Sequence, residues 1–514
     1  MVKSALPLEK VLEDPMMTSE PHKIKTVRRI RFTFPEDRRR ELIRAGGNTF
    51  RIPSQWVTFD MTGQGTSAVS QDQWSGILIG DEAYAGSRSF ERLEESVRKV
   101  LGHKNICPTH NLRGSIKLIS TTLVQRGDLI LSNSLTPRDL TEERSASVRR
   151  LPCDSGPFNG DPGINPFREE LNLHRNIPYV FIEAFADGYR PISLSRMKEI
   201  RKALEAHGTK LVLNASRVVE NGLFIRQHDP AWRNKTLAEI VNEMVRTAHI
   251  CILDAGQDPR CNTGGLISTD DPDLHLQFQN EVVVYEGLHT YGGMAGRTME
   301  IFARGIEEMV YEGQALWIET QAKRLASNLE GIPLIPGCDG VYIKADEFLP
   351  RIKEHQAQAL AAALYLKSGV RAFLEGRFLS ESLLPVQIPR LAMSNFQLDQ
   401  VAGSILSLFE ERECVRRFRL IHVTDWQDEA LFEWDVEGLK DSPFTCEPHT
   451  IHTIEYVGTT TREKRGRLIQ EAGYNPFLLP SRDVTLDLLT DSGTAAMSVE
   501  QWQAYEGAVE TPAT

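Results

Sequence analysis

Between residues 177 and 253 the chain alternates two hydrophobic periods. Residues 177–185 form a short, mostly apolar run of the kind a buried strand requires. Leu194, Met197, Ile200 and Leu204 then recur at helical spacing, with Ser193 placed to cap and Gly208 placed to stop. Leu211, Val212 and Leu213 dominate a second strand over residues 210–215. Residues 236–247 predict a helix with Leu237, Ile240, Val241 and Met244 on one face, and residues 250–253 a third buried strand. Strands separated by helices of this length predict parallel βαβ units in an α/β layer fold. Residues 315–331 predict a long amphipathic helix leaving this domain, and the mixed pattern after Gly337, with a helix over 355–366, predicts a smaller α+β unit.

An internal repeat organises the two ends. Glu20-Pro21-His22 recurs as Glu447-Pro448-His449, and Ala45-Gly46 with Asn48 and Phe50 recurs as Ala472-Gly473 with Asn475 and Phe477. Pro53-Ser54, Val57-Thr58 and Asp60 recur as Pro480-Ser481, Val484-Thr485 and Asp487. After a one-residue shift, Gly65-Thr66, Ala68, Ser70 and Gln73-Trp74 recur as Gly493-Thr494, Ala496, Ser498 and Gln501-Trp502. The match stops after Gly507, so a solenoid, which needs many copies at a short period, is excluded.

Composition narrows the class. With 70 acidic against 59 basic residues the formal charge is −11, which argues against general affinity for nucleic acid or an anionic membrane. No apolar run approaches the ~18 residues of a membrane span, and residues 1–17 mix charge with short apolar pairs, unlike a secretory signal. The seven cysteines lack close metal-type pairing and read as reduced thiols of a cytoplasmic protein.

A series of motifs then points to a family. Thr62-Gly63-Gln64-Gly65-Thr66, Gly80-Asp81-Glu82-Ala83-Tyr84-Ala85-Gly86-Ser87, Pro108-Thr109-His110, Ala215-Ser216-Arg217-Val218-Val219-Glu220-Asn221, Val283-Val284-Tyr285-Glu286-Gly287, Tyr291-Gly292-Gly293 and Ile388-Pro389-Arg390 follow in order. The chain resembles the aromatic amino-acid β-eliminating lyases, tyrosine phenol-lyase and tryptophanase, over roughly residues 20–440. The resemblance implies an α/β, type I pyridoxal-phosphate-dependent fold with a large parallel or mixed-sheet domain, a smaller α+β domain and tetramers of tight dimers. It divides the chain into an N-terminal arm with part of the small domain (1–58), the large domain (59–330), the small domain (331–445) and the partial repeat (446–514).

Fold homology does not carry chemistry, so each position is weighed singly. Pyridoxal-phosphate catalysis needs a lysine amine, and the resemblance aligns Gln257 with it, in the turn Asp254-Ala255-Gly256-Gln257-Asp258 ahead of Gly264-Gly265. No lysine occurs between Lys235 and Lys323. Asn214 stands for the aspartate that protonates the pyridine ring, and Thr136, before Pro137, for the aromatic that stacks on it. Asn111-Leu112-Arg113 replaces the phosphate cradle, the segment that supplies an asparagine is shortened to Ala186-Asp187-Gly188, and Glu375 replaces a substrate-reading arginine. Other matches survive. Arg113 and Arg217 remain as cofactor-side groups and Arg390 as the substrate-carboxylate arginine, while Glu82 matches a monovalent-cation ligand. Tyr84 and Thr62 match groups donated in trans across a dimer. Each has a plainer account too: Arg217 and Glu220 are placed to pair, and Tyr84 to pack an interface.

Two readings follow. In the first, the chain is a lyase homologue without a covalently held cofactor, acting as a non-catalytic or partner-assisting subunit within a homo- or hetero-oligomer. In the second, it is a carbon-carbon lyase-like enzyme of altered chemistry on an aromatic amino acid or an amino-acid-derived metabolite, with Arg390 orienting a carboxylate and Glu375 serving as a new base or binding an amine. An unmodified lyase is disfavoured by Gln257 and Asn214.

Overall fold

The structure is a computed structural model that describes residues 20–24, 26–134, 145–374, 382–422 and 431–434. Thr136, Pro137, Glu375 and the repeat at 447–507 lie outside the described residues. Seven strands form the large sheet: β1 (Asn105–Thr109), β2 (Leu129–Ser132), β3 (Ser147–Arg150), β4 (Tyr179–Glu183), β5 (Lys210–Asn214), β6 (Ile250–Asp254) and β7 (Gly265–Thr269). Their order is β1-β7-β6-β5-β4-β2-β3. The run from β6 to β3 is parallel, whereas β7 pairs antiparallel with both β6 and β1, so the sheet is mixed.

Alternate residues of the central strands face opposite layers. Val180, Ile182, Leu211, Leu213, Cys251 and Leu253 pack with the helices α1 (Leu194–Glu205) and α2 (Leu237–Thr247). Phe181, Val212, Ile252 and Ile267 bury Ile116 and Ile119, which precede them in chain order on the helix Leu112–Leu123 of the other face. The expected caps are present. The Ser193 side chain accepts from the Arg196 amide, and Thr236 forms a reciprocal capping box with Glu239. The helix expected at 315–331 runs instead from Glu312 to Asn328, because the Glu312 carboxylate, 2.6 Å from the Arg226 guanidinium, anchors an earlier start.

By contact, the described chain divides into two units. One holds residues 20–29 with Asp60–Ile343 and Pro385–Ala402, and contains the whole large sheet. The other holds Ile30–Phe59, Lys344–Leu384 and the residues from Gly403 onward. In this second unit the helix Gln356–Ser368, expected at 355–366, packs on the helix Pro35–Arg44. Arg38, buried on the latter, donates to the Leu366 and Lys367 carbonyls at 2.7 and 3.0 Å and so closes the last turn of its neighbour. Among the described residues no helix is long and apolar enough to cross a membrane, and Cys107, Cys153, Cys251, Cys261 and Cys338 form no disulfide with one another.

Candidate active site

The registers Glu183↔Asn214 and Asn214↔Ile252 set the carboxyl ends of β4, β5 and β6 side by side, where ligands of open α/β sheets bind. The turn after β5 carries Ser216 and Arg217 into the helix Val218–His228, whose first turn supplies Glu220. The turn after β6 folds back on itself, with Gly256 N donating to Asp254 Oδ1 (2.9 Å) and Cys261 N to the Ala255 carbonyl (2.7 Å). That turn places Gln257 and Asp258 in the interior.

Here the buried polar groups pair with one another. Arg390, 1% exposed, donates from Nη1 to Gln257 Oε1 at 2.8 Å. Its Nε and Nη2 both donate to Glu220 Oε1, at 3.0 and 2.6 Å, and Nη2 also lies 3.5 Å from Asp258 and 3.9 Å from Asp339. Arg217 Nε donates to Asp339 Oδ2 at 2.8 Å, and its Nη1 is 3.7 Å from Glu183. The expected Arg217–Glu220 pair is therefore replaced by two others, because the guanidinium of Arg390 reaches Glu220 first and Arg217 turns toward Asp339. Tyr342 completes the cluster by donating to Asp339 Oδ1 at 3.3 Å.

Burial would lower the Arg390 guanidinium, but the carboxylates of Glu220, Asp258 and Asp339 hold it above its ordinary value. Burial likewise opposes ionised Asp339, yet Arg217 and Arg390 keep it below the usual carboxylate range. Asp258 moves the other way: burial, then the charge and hydrogen bond of Glu220, push its carboxyl well above the usual carboxylate range. Asn214, at the end of β5, accepts from Ser216 Oγ at 2.6 Å, and Ser216 Oγ in turn accepts from Asp254 N at 3.1 Å.

The remaining expected residues are placed as follows. The helix Leu112–Leu123 begins with Asn111, whose side chain accepts from Gly114 N at 2.9 Å. Glu286 accepts from His110 N at 2.9 Å beside the same helix start, and Arg113 is exposed on the first turn. Asp187 is buried and pairs with Arg190, while Gly188, with φ +83°, lies directly under the Tyr342 hydroxyl and leaves no room for a side chain. Thr62 is buried and donates through Oγ1 to Asp60 at 2.9 Å. The Gln387 amide, oriented to satisfy both neighbours, donates to the Thr62 carbonyl and accepts from Arg217 Nη2. Glu82 accepts from the Gly296 and Arg297 amides at 3.3 and 3.2 Å, capping the helix Gly296–Met309, and among the described residues no three His, Cys, Asp or Glu side chains converge as metal ligands. Tyr84 stands apart from the buried cluster, 71% exposed, its ring 5.6 Å from that of Tyr291. Its loop is braced by Asp81, which accepts from the Ala83 and Arg88 amides at 3.1 and 3.0 Å.

Glu183, Tyr342 and Gln387 belong to the cluster without any local signal to mark them, and Asp339 is hinted at only as a polar break between apolar stretches in Cys338-Asp339-Gly340.

A family model described as beta-eliminating lyase matches residues 59–375. Tyrosine phenol-lyase of Symbiobacterium thermophilum is 36% identical over 437 residues, covering 79% of this chain and 95% of the relative. Tyrosine phenol-lyase of Nostoc punctiforme is 32% identical over 437 residues (79% and 94%). A probable tryptophanase of Aeropyrum pernix is 32% identical over 449 residues (80% and 95%). With its mixed seven-stranded sheet and this extent of likeness, the chain belongs to the beta-eliminating lyase family, which is pyridoxal-phosphate-dependent.

Proposed function

We propose that the chain is a non-catalytic, partner-assisting subunit of a lyase-type assembly that holds no covalent pyridoxal phosphate of its own. The observation that carries this reading is Gln257, 2% exposed, with its amide oxygen bonded to Arg390 in the position aligned with the cofactor lysine. An amide nitrogen does not condense with an aldehyde, and no other lysine lies between 235 and 323. The surrounding residues do not fit the cofactor either. Asn214 offers a neutral amide whose oxygen is already taken by Ser216. The start of the helix Leu112–Leu123, where a phosphate needs open amides, carries the Asn111 side chain and the Glu286 carboxylate instead. No step of the proposed role runs through the cofactor.

What the chain offers a partner is Tyr84, an exposed phenol on a loop braced by Asp81. A phenol held at a neighbouring subunit's site supplies a proton to a leaving group, and general-acid help of this kind is worth ~10²–10⁴-fold. Thr62 contributes differently in this reading: its hydroxyl is committed to Asp60, and its carbonyl holds Gln387 against Arg217. Co-expression with a lysine-bearing homologue tests the role. Hetero-oligomers whose turnover falls on Tyr84→Phe in this chain are expected; strict homo-oligomers, or mixed ones indifferent to that change, would sink the proposal.

A further inference from the structure

The partner-assisting role makes no use of the internal repeat, yet the contacts of its first copy say what the second can do. Residues 65–74 lie in a seat built by the turn after β6, the helix Gly296–Met309 and the backbone of Arg390. Gln73, wholly buried, donates from Nε2 to the Pro259 and Ile301 carbonyls at 2.8 and 3.3 Å. Ser70 Oγ donates to Glu308 Oε1 at 2.7 Å, and the Ala68 amide to the Arg390 carbonyl at 2.9 Å. Gly65 has φ +62°, and a Cβ there would stand 2.9 Å from the Asn262 carbonyl oxygen, so glycine is required. The second copy keeps all four residues, as Gln501, Ser498, Ala496 and Gly493. Outside this stretch it loses what the first copy needs. Gly47, with φ +74° and Phe432 3.2 Å from its would-be Cβ, becomes Tyr474, and Gly63, with φ +66° against Gln387, becomes Asp491.

We propose that residues 493–502 are a second occupant of this seat, docking there in the same chain in exchange with residues 65–74. The receiving groups are specific, because the Pro259 and Ile301 carbonyls and the Glu308 carboxylate are buried and need donors whichever copy is present. Residues 435–492 form the tether, which extends to about 190 Å at ~3.3 Å per residue and so reaches the seat. A tethered copy also meets it at an effective concentration that a separate chain in dilute solution does not match. The first copy remains the major occupant. Its Ser67 Oγ accepts from the Arg390 amide at 3.2 Å, where the second copy has Ala495. Its Gly76, whose Cβ would come within 3.2 Å of Glu300 and 3.3 Å of Arg304, is matched by Ala504 just past the docking stretch. Entry of the second copy releases the helix Gln71–Ile79, which leads directly into the Tyr84 loop. This inference needs no partner subunit, and its failure would leave the role of Tyr84 standing.

The test uses the full chain with p-benzoylphenylalanine in place of Trp502, the counterpart of the half-exposed Trp74. Irradiation followed by peptide mapping is expected to find cross-links to residues 259–262 or 296–309 of the same chain. Gln73→Ala, which removes both carbonyl contacts of the first copy, should raise their yield about tenfold or more. Adding Gln501→Ala should abolish that rise. If Gln73→Ala gives no soluble protein, the milder Ser70→Ala must raise the yield several-fold and Ser498→Ala must cancel the gain. No cross-link to the seat in any variant, a yield indifferent to these changes, or links found only between separate chains would each overturn the proposal.

Discussion

At position 257 an amide oxygen faces a guanidinium nitrogen at 2.8 Å, and a lysine there would set an ammonium against the same nitrogen. Two cations at that distance in a buried site repel strongly, and Arg390 is the more firmly charged of the two because Glu220 and Asp258 surround it. Gln257→Lys is therefore expected to destabilise the protein by about 3 kcal/mol in urea unfolding. The same variant should release neither phenol from tyrosine nor indole from tryptophan, since Asn214 remains a neutral amide bonded to Ser216. Product formation by that single variant would show that the neighbouring positions matter less than their geometry indicates. Gln257 and Asn214 were legible in the sequence because each sits inside a motif whose frame survives around it. Asp339 was not, because it meets Arg217 122 positions away and nothing local marks it as an ion-pair partner.

Among the elements, the edges of β5 and α1 contain a half-buried and a buried group that respond oppositely to acid. His249 replaces a carbonyl at the start of β6: its Nδ1 accepts from the Leu211 amide at 2.8 Å, a bond that exists only while that nitrogen is unprotonated. Burial, with Arg201 and Lys210 nearby, depresses its pKa to about 4. The folded value lies below the ordinary one, so this contribution to stability is complete above pH ~6.5 and is lost as the pH falls toward 4. Asp161 receives the Ser193 amide and hydroxyl at the cap of α1, at 2.7 and 2.6 Å, and burial pushes it up to about 6. Its ionisation is penalised in the fold, so its effect has the opposite sign and stability falls as the pH rises from about 4 to 6. The two nearly mask each other in the native protein and separate in difference measurements. Urea midpoints of His249→Asn should fall less than those of the native chain between pH 6.5 and 4. Those of Asp161→Asn should lack the loss on rising from pH 4 to 6; unchanged profiles in both would contradict the assignments. The helices capped by Ser193 and Thr236 were readable because a cap and an apolar period are local properties. The reversed direction of β7 was not, since Gly265–Thr269 is short, and strand direction is decided by what it pairs with.

For the molecule as a whole, the likeness to tyrosine phenol-lyase extends over 79% of the chain, and the core that supports it does not pass through the cofactor position. The large sheet is sealed on both faces by apolar side chains, and the cluster at its carboxyl end is held by its own ion pairs. Purified protein is expected to show no visible absorbance of a lysine-bound pyridoxal phosphate, and borohydride followed by peptide mapping should find no cofactor-labelled lysine. A stoichiometric label at one lysine would refute the reading of Gln257.

The chain of ion pairs through Arg217, Asp339, Arg390 and Glu220 also bears on which substitutions the site tolerates. A lysine at position 257 would meet Arg390 before it met any ligand. Replacing Arg390 or Glu220 alone strands the other in the interior. The ion-pair chain thus works as a ratchet: with Gln257 bonded into it, an amine at position 257 is tolerated only alongside a second change at Arg390 or Glu220, so the two positions must change together or not at all.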